Sequence, residues 1–486
     1  MNSNSQHDPD SKSASHIAFR RVAIIGAGLS GIVSAVHLLR IGIDVTVFER
    51  AEDLGGAWNY SPLPDRDPPF PNVRPPAPDW TRLERLRAEG LSAEEAASYF
   101  APPGPIYANM KSRGSKTATR TSLLNWPEGS GDPLDHGEVL QYLQDIARTY
   151  YVEDMIRFRT RMEEVSKTEG DTENWAFDAV VVATGRYSVP RVPDVPGLSD
   201  WKGKFPDRVI HAKQYRTPTR FGGKRVLIIG AFISAIEITR ELTRSGATVY
   251  QSANTTRVGF RDQNENAIKV AMAAKFVTFA HVEDSTVPQQ LDGDSPIPGQ
   301  VILEDGQVLG TIYHVIIATG YLTTFPFLGP ILEQPFTPLD EADDRVVTTA
   351  DGRNVHNLHE DIFYIPDPTL AFIGVTHFAN TFSLYDFQAQ VLAVVFASRV
   401  RLSPEAAMKA TQSRRKMRVL PGTLLNSIFL LNDIVIRKFL EWVNRDLVAN
   451  GFKSLSGPDQ DWWNAFKKER EGARPLLGLL QDNSLS

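Results

Sequence analysis

The chain contains no cysteine. That excludes disulfide stapling, thiolate metal ligation and any redox-active dithiol, and it fits a reducing compartment. Long apolar runs are missing too: no stretch reaches the roughly eighteen residues of a membrane span. The closest is Leu420 to Leu440, interrupted by Asn426, Asn432, Asp433, Arg437 and Lys438. A core or surface-docked amphipathic helix is expected there, with peripheral membrane attachment as the alternative. There is no excess of positive charge. Lys and Arg number 52 against 58 Asp and Glu, a net charge of -6, which argues against nucleic acid as the main partner. Residues 1–17 hold neither an apolar signal core nor an Arg-rich transit pattern. They read as a disordered tail, with a cytoplasmic location as the default. No metal-ligand set stands out, since His356 and His359 have no further matched ligands.

What is present begins with Arg21 to Arg50, RVAIIGAGLSGIVSAVHLLRIGIDVTVFER. Val22 to Ile25 is an apolar run too short for a helix and reads as a buried parallel strand. Gly26, Gly28 and Gly31 then give G-x-G-x-x-G. In such a turn the first glycine allows the bend and the second admits a pyrophosphate to the backbone amides. The third lets helix and strand pack closely. A helix from Ser30 to Arg40 offers its N-terminal amides to the anion. Ile43 to Phe48 is the second strand, and Glu49 ends it at the right distance to accept from ribose hydroxyls, with Arg50 beside it. Strand, glycine turn, helix, strand and acid together mark a dinucleotide-binding unit in a chain of 486 residues, long enough for two or three domains.

Leu54-Gly55-Gly56-Ala57-Trp58 follows. Paired glycines before an aromatic suit a backbone lying under a flat ring system, which makes Gly56 and Trp58 candidates; a turn with a buried Trp is the alternative. Residues 61–105 are rich in proline, with a charged helical piece between Thr81 and Tyr99, and suggest a surface insertion or lid. Helical periodicity returns from Gly137 to Tyr150. Phe177 to Gly185, FDAVVVATG, is an apolar strand running into Thr184 and Gly185, where a chain can cross close to a cofactor. Pro190, Pro193 and Pro196 then break the chain as a hinge between domains would.

A second unit of the same order begins at Lys224, KRVLIIGAFISAIEITRELTRSGATVYQSA. Its turn keeps Gly230, with Ser234 at the start of the following helix. Alanine at the third glycine position (Ala235) is an accepted replacement, whereas Phe232 puts a side chain where amides should meet pyrophosphate. The second strand ends at Gln251-Ser252 without an acid, and Arg257 follows. An acid would repel a ribose 2′-phosphate, whereas Ser252 and Arg257 can bind one, which favours NADPH over NADH. Arg257 as a solvated surface charge is the alternative. VIIATGY then repeats the Ala-Thr-Gly ending and makes Thr319 and Gly320 the counterparts of Thr184 and Gly185. Asp361 to Val375 reads as strand, Pro turn, strand, closing a sheet. Helices follow over Phe387–Val400, Pro404–Arg418 and Ile428–Val448, and residues 457–486 read as a loosely held tail.

GAGLSG, GGAW, FDAVVVATG, IIATGY before FPFL, and DIFYIPDPTLAFIGV together resemble the class B flavin-dependent monooxygenases. The likeness is to their flavin-containing monooxygenase branch and spans roughly Val22 to Arg399. The resemblance implies an α/β fold of two Rossmann-like dinucleotide-binding domains, an FAD domain interrupted by a smaller NADPH domain. Residues 18–195 and 331–456 would form the FAD part with C-terminal helices, and residues 196–330 the NADPH part. FAD would lie on Gly26, Gly28 and Gly31, with its ribose on Glu49 and its flavin edge near Gly56 and Trp58. The implied reaction passes one oxygen atom of O2, by way of a C4a-hydroperoxyflavin, to a nitrogen or sulfur centre of a small organic substrate.

Three departures from the family pattern stand out. The signature F-x-G-x-x-x-H-x-x-x-Y is represented by Trp201-Lys202-Gly203 and His211 to Tyr215, with seven residues between Gly203 and His211. Tyr215 favours this branch over the Baeyer–Villiger one; His211, carried over among the catalytic residues, is expected to organise the domain linker. In Tyr107 to Arg113, YANMKSR, Arg113 replaces the asparagine that the family places beside the flavin. A donor-only cation there has three options: stabilising peroxyflavin charge, binding an acidic substrate, or turning to solvent. Finally, Arg157 to Trp175 leaves room for about two short strands where the family has a fuller β-meander. A Baeyer–Villiger enzyme acting on a ketone, an NADPH oxidase and an FAD-binding relative without turnover are the alternative readings.

Overall fold

The computed structural model describes residues 19–77, 79–167, 175–253, 267–279, 292, 294–377, 380–418, 425–428 and 431–477. The expected N-terminal tail and Arg257 lie outside them. The first glycine unit folds as strand β1 (Arg21–Ile25), helix α1 (Leu29–Arg40) and strand β2 (Asp44–Phe48). These join β3 (Ile156–Arg157), β4 (Ala179–Val182), β15 (Leu358–His359), β16 (Phe363–Tyr364) and β17 (Leu370–Phe372) in a seven-stranded sheet of order β15-β16-β17-β4-β1-β2-β3. The pairs from β17 through β3 are parallel, and the Asp361–Val375 segment adds the antiparallel edge. Among the described residues between 158 and 177 no further strand forms; the rest of the segment in which two short strands were expected lies outside the described residues.

Helix α1 is buried nearly all round. Leu29 to Leu38 are all buried, because α1 lies between the sheet and the helix Thr381–Phe396. Ile32, Val33, Val36 and Leu38 are fully buried, each contributing about 1.5–3 kcal/mol of apolar burial. A helix covered on both sides has to be apolar nearly all round. The expected C-terminal tail is corrected on the same grounds. Gln460–Leu477 forms a helix, with Trp462 and Phe466 buried and stacked 5.0 Å apart. Trp462 Nε1 donates to Ala118 O at 3.1 Å. Aromatics spaced one helical turn apart dock a segment whose flanks read as polar. The helix Asn432–Ala449 likewise buries Ile436, Phe439, Val443 and Leu447 in the first core. Among the described residues no helix is long and apolar enough to cross a membrane.

The second sheet is wholly parallel, with order β6-β13-β7-β8-β9 from β6 (Val209–His211), β7 (Arg225–Ile229), β8 (Thr248–Ser252), β9 (Ile268–Val270) and β13 (His314–Ile317). Helix α6 below is Ile233–Arg244, between β7 and β8. Strands β10 (Ala273–Thr278), β11 (Gly299–Leu303) and β12 (Val308–Gly310) form a small antiparallel sheet on it. A two-stranded ribbon, β5 (Val189–Pro190) against β14 (Tyr321–Leu322), links the two large sheets.

Candidate dinucleotide sites

The first glycine turn leaves the C-terminal end of β1, whose neighbours β4 and β2 lie on opposite sides, the topological position at which parallel α/β sheets bind ligands. A Cβ on Gly31 would stand 1.8 Å from Gly26 O, so any side chain there would pry α1 off β1. Gly28 and Gly56 approach backbone to backbone: a Cβ on Gly56 would lie 2.9 Å from Gly28 Cα. Gly374, just after β17, comes close as well, a Cβ there falling 2.4 Å from Ser30 Oγ. Sequence reading passed over Gly374, although a glycine directly after a closing strand was the available signal. Three segments thus bring bare backbone to the start of α1.

That helix start has no side-chain cap. By contrast, capping boxes close the starts of the helices Ala93–Phe100 (Ser92 with Glu95) and His136–Thr149 (Asp135 with Glu138). The first amides of α1 are therefore left for an anion. Glu49 is buried, and its Oε2 accepts from Ala27 N at 2.7 Å while Oε1 accepts from Ala51 N at 2.8 Å. It braces the turn, and a carboxylate oxygen can accept a second bond from a ribose hydroxyl. Arg50 donates to Ser188 Oγ at 3.3 Å, and burial holds its pKa below the ordinary arginine value. Trp58 is half-buried with its ring 6.0 Å from that of Phe382. Uncapped amides, bare backbone and a carboxylate beyond them fit the pyrophosphate and ribose of FAD.

The two Ala-Thr-Gly crossings meet. Thr184 and Gly185 follow β4, Thr319 and Gly320 follow β13, and each chain then enters the β5–β14 ribbon. Thr319 Oγ1 donates to Arg191 O at 2.6 Å, and Gly320 O accepts from Arg191 N at 2.9 Å. His211 is fully buried here. Its Nδ1 accepts from Lys213 N at 3.1 Å, which puts the proton on Nε2, 3.1 Å from Gly320 O. Burial pushes its pKa down to about 3. A neutral imidazole with both nitrogens engaged braces the crossing, the place in the domain linker expected of His211. Lys213 Nζ, 2.5 Å from Asp65 Oδ2 and 2.8 Å from Ser188 O, and Lys202 Nζ, 2.5 Å from Asp67 Oδ1, pin the proline-rich insertion to the same linker.

Arg113 is directed at the second unit. Its Nη1 stands 3.6 Å from Glu237 Oε1 on α6. The segment carrying it spans both units: Tyr107 is buried in the core around α6, while Ser112 N donates to Leu134 O at 2.8 Å. Asn109 Nδ2 and Tyr215 OH both donate to Glu241, at 2.5 and 2.7 Å.

At the second turn Gly230 has φ +133, and a Cβ there would meet Ala318 O at 2.3 Å. Phe232 has an extended backbone and is 41% exposed, so its side chain is accommodated beside a helix start that again has no side-chain cap. Ser234 is half-buried on the first turn of α6. Register corrects the reading of Ser252. Gly26 N donates to Phe48 O at 2.8 Å and Gly230 N to Ser252 O at 2.9 Å, so Ser252 matches Phe48, and Ala253 takes the place of Glu49. The Ser252 hydroxyl is buried, donating to Ala271 O at 3.0 Å and accepting from Ala273 N at 2.9 Å. It braces the end of β8 against the Ala271–Ala273 backbone.

Residues 20–328 match the family model described as pyridine nucleotide-disulphide oxidoreductase. Without a cysteine, the nucleotide half of that description is the half this chain can perform. Two relatives from Aspergillus flavus are similar over nearly all of the chain. Flavin-containing monooxygenase ustF2 is 34% identical, over 93% of this chain and 98% of its own. Flavin-containing monooxygenase ustF1 is 29% identical, over 94% and 91%. Among solved structures, the S-allyl-L-cysteine S-oxygenase from Allium sativum superposes with a TM-score of 0.66 at 22% identity, covering 94% of each chain, a likeness of fold.

Proposed function

The chain belongs to the flavin-containing monooxygenase family, and from that premise we propose that it uses NADPH to oxygenate a nitrogen or sulfur centre of a small organic molecule. The observation that carries this reading is the pair of uncapped glycine-turn helix starts, on separate parallel sheets joined by one hydrogen-bonded ribbon. FAD belongs on residues 18–195 and 331–456, and the nicotinamide cofactor on residues 196–330. Bound FAD supplies the redox chemistry, accepting a hydride and activating O2.

The chain's own residues supply position and exclusion. The α1 amides hold the pyrophosphate, Glu49 the adenosine ribose, and the Gly28–Gly56 approach keeps side chains from under the ring system. Trp58, its ring packed against Phe382, would lie at the flavin edge and help to exclude water there. His211 fixes Gly320, and with it the crossing that sets one unit against the other. The nitrogen or sulfur reading follows the family branch, to which the His211 to Tyr215 segment belongs. Ala253 in place of an acid favours NADPH, because no carboxylate opposes a 2′-phosphate there.

The test is turnover of the FAD-loaded protein with NADPH, O2 and a panel of amines, thioethers and ketones, with products read by mass spectrometry. An N-oxide, hydroxylamine or sulfoxide carrying one atom from labelled O2 is the expected outcome. An ester or lactone from a ketone, with no nitrogen or sulfur product, would overturn the substrate assignment. Peroxide equal to NADPH consumed with every substrate would make the protein an oxidase.

A further inference from the structure

We propose that Lys269 recognises the adenosine 2′-phosphate of the nicotinamide cofactor and sets the preference for NADPH over NADH, an inference that rests on the NADPH reading above. In the first unit the end of β2 carries Glu49, and the parallel pairing of Val47 with Ile156 puts a buried isoleucine on the neighbouring strand. In the second unit the equivalent pairing is Gln251 with Lys269, and the position of Glu49 is taken by Ala253. An acid beside an apolar residue has become an uncharged residue beside a cation. The first arrangement suits a ribose with free hydroxyls, as in FAD; the second suits a ribose bearing phosphate.

The side chains carry this further. Lys269 is exposed on the edge strand, and its Nζ donates to Gln251 Oε1 at 2.8 Å. Gln251, itself buried, donates from Nε2 to Gly230 O at 3.1 Å. A line of contacts therefore runs from the glycine turn, across the end of β8, to the ammonium. When pyrophosphate sits at the start of α6, the adenosine ribose lies over the end of β8, beside this cation. Gln251 steers the lysine, and an ammonium is a compact charge suited to phosphate. Among the described residues at this strand end, the Ser252 hydroxyl is already bonded to Ala271 and Ala273.

The experiment compares the FAD-loaded protein with its Lys269→Ala, Lys269→Gln and Lys269→Arg variants. Binding of 2′,5′-ADP and of 5′-AMP is measured by calorimetry, and kcat/KM is measured for NADPH and NADH. Flavin absorbance and melting temperature establish that each variant is folded. We expect Lys269→Ala and Lys269→Gln to weaken 2′,5′-ADP and to lower the NADPH to NADH ratio by roughly 10- to 100-fold, the range for a charged hydrogen bond. Binding of 5′-AMP and kcat/KM for NADH should be unchanged, and Lys269→Arg should retain most of the preference. A wild-type preference for NADPH that survives in both neutral variants would overturn the role of Lys269 alone. A wild-type preference for NADH would overturn the NADPH reading, and this inference with it.

Discussion

Arg113 and Glu237 stand 3.6 Å apart, joining the Tyr107–Arg113 segment to helix α6, which follows the second glycine turn. The pair is about one-third exposed, so its contribution to stability is below about 1 kcal/mol. Its effect should appear in the alignment of the two cofactors. Arg113→Ala and Glu237→Ala should each slow anaerobic flavin reduction by NADPH by roughly threefold to tenfold, and the double variant should be no slower than either single one. Stopped-flow absorbance measures this; additive losses would show that the two residues act separately. Glu237 also holds Arg240 at 2.9 Å, so Arg240→Ala is the control for effects confined to α6.

Two glycines of the first turn should fail in different ways. A methyl at residue 31 would collide with Gly26 O, so Gly31→Ala should lose several kcal/mol or fail to fold. At residue 28 a Cβ would make ordinary contact, 3.5 Å from Gly56 Cα, so Gly28→Ala should fold but fill space needed by the cofactor. Flavin retention after gel filtration, read beside the melting temperature, separates the two outcomes.

His211 predicts an acid-sensitive linker. The folded protein keeps it neutral down to about pH 3, while the unfolded chain protonates it near its ordinary value of 6.5. Below pH 6.5 the unfolded state therefore binds more protons, and stability falls with pH across that window by up to about 1.4 kcal/mol per pH unit for this one group. His314, also pushed down to about 3 by burial beside Arg220, Arg208 and Lys224, adds a slope of the same sign. Urea midpoints between pH 7.5 and about pH 5 should decline more steeply in the wild type than in His211→Gln, by about one proton.

The buried Lys213–Asp65 pair anchors the proline-rich insertion. Burial holds the Lys213 ammonium below its usual pKa, so removing its counter-ion is costly. Asp65→Ala should destabilise by about 3–5 kcal/mol and expose residues 61–105 to proteolysis. If limited proteolysis leaves the insertion as resistant as in the wild type, the anchor lies elsewhere.

Both glycine units were legible in the sequence because they are local. The strand, turn and helix around Gly26 and around Gly230 fall within about thirty residues, and their periodicities and glycines survive without partners. The Ala-Thr-Gly endings were legible as an echo, but their hydrogen-bonded meeting was not. Residues 189–190 and 321–322, just beyond those endings, pair only after two separate sheets have formed. The helix Gln460–Leu477 was missed for a similar reason: Trp462 and Phe466 have a core to enter only once the chain from 118 onward is in place.

By itself the sequence determined the class of protein, with two dinucleotide-binding units, no cysteine chemistry and a cradle for FAD, because each depends on residue types at short spacing. Only the tertiary structure decided what Arg113, His211, Ser252 and Lys269 face. Arg113 turns to Glu237, His211 and Ser252 are consumed in bracing, and Lys269 comes beside Gln251 on a strand that begins sixteen positions beyond the end of β8. A side chain's role is fixed by what faces it. For these four that depends on register between strands and on packing between units, which spacing along the chain does not encode.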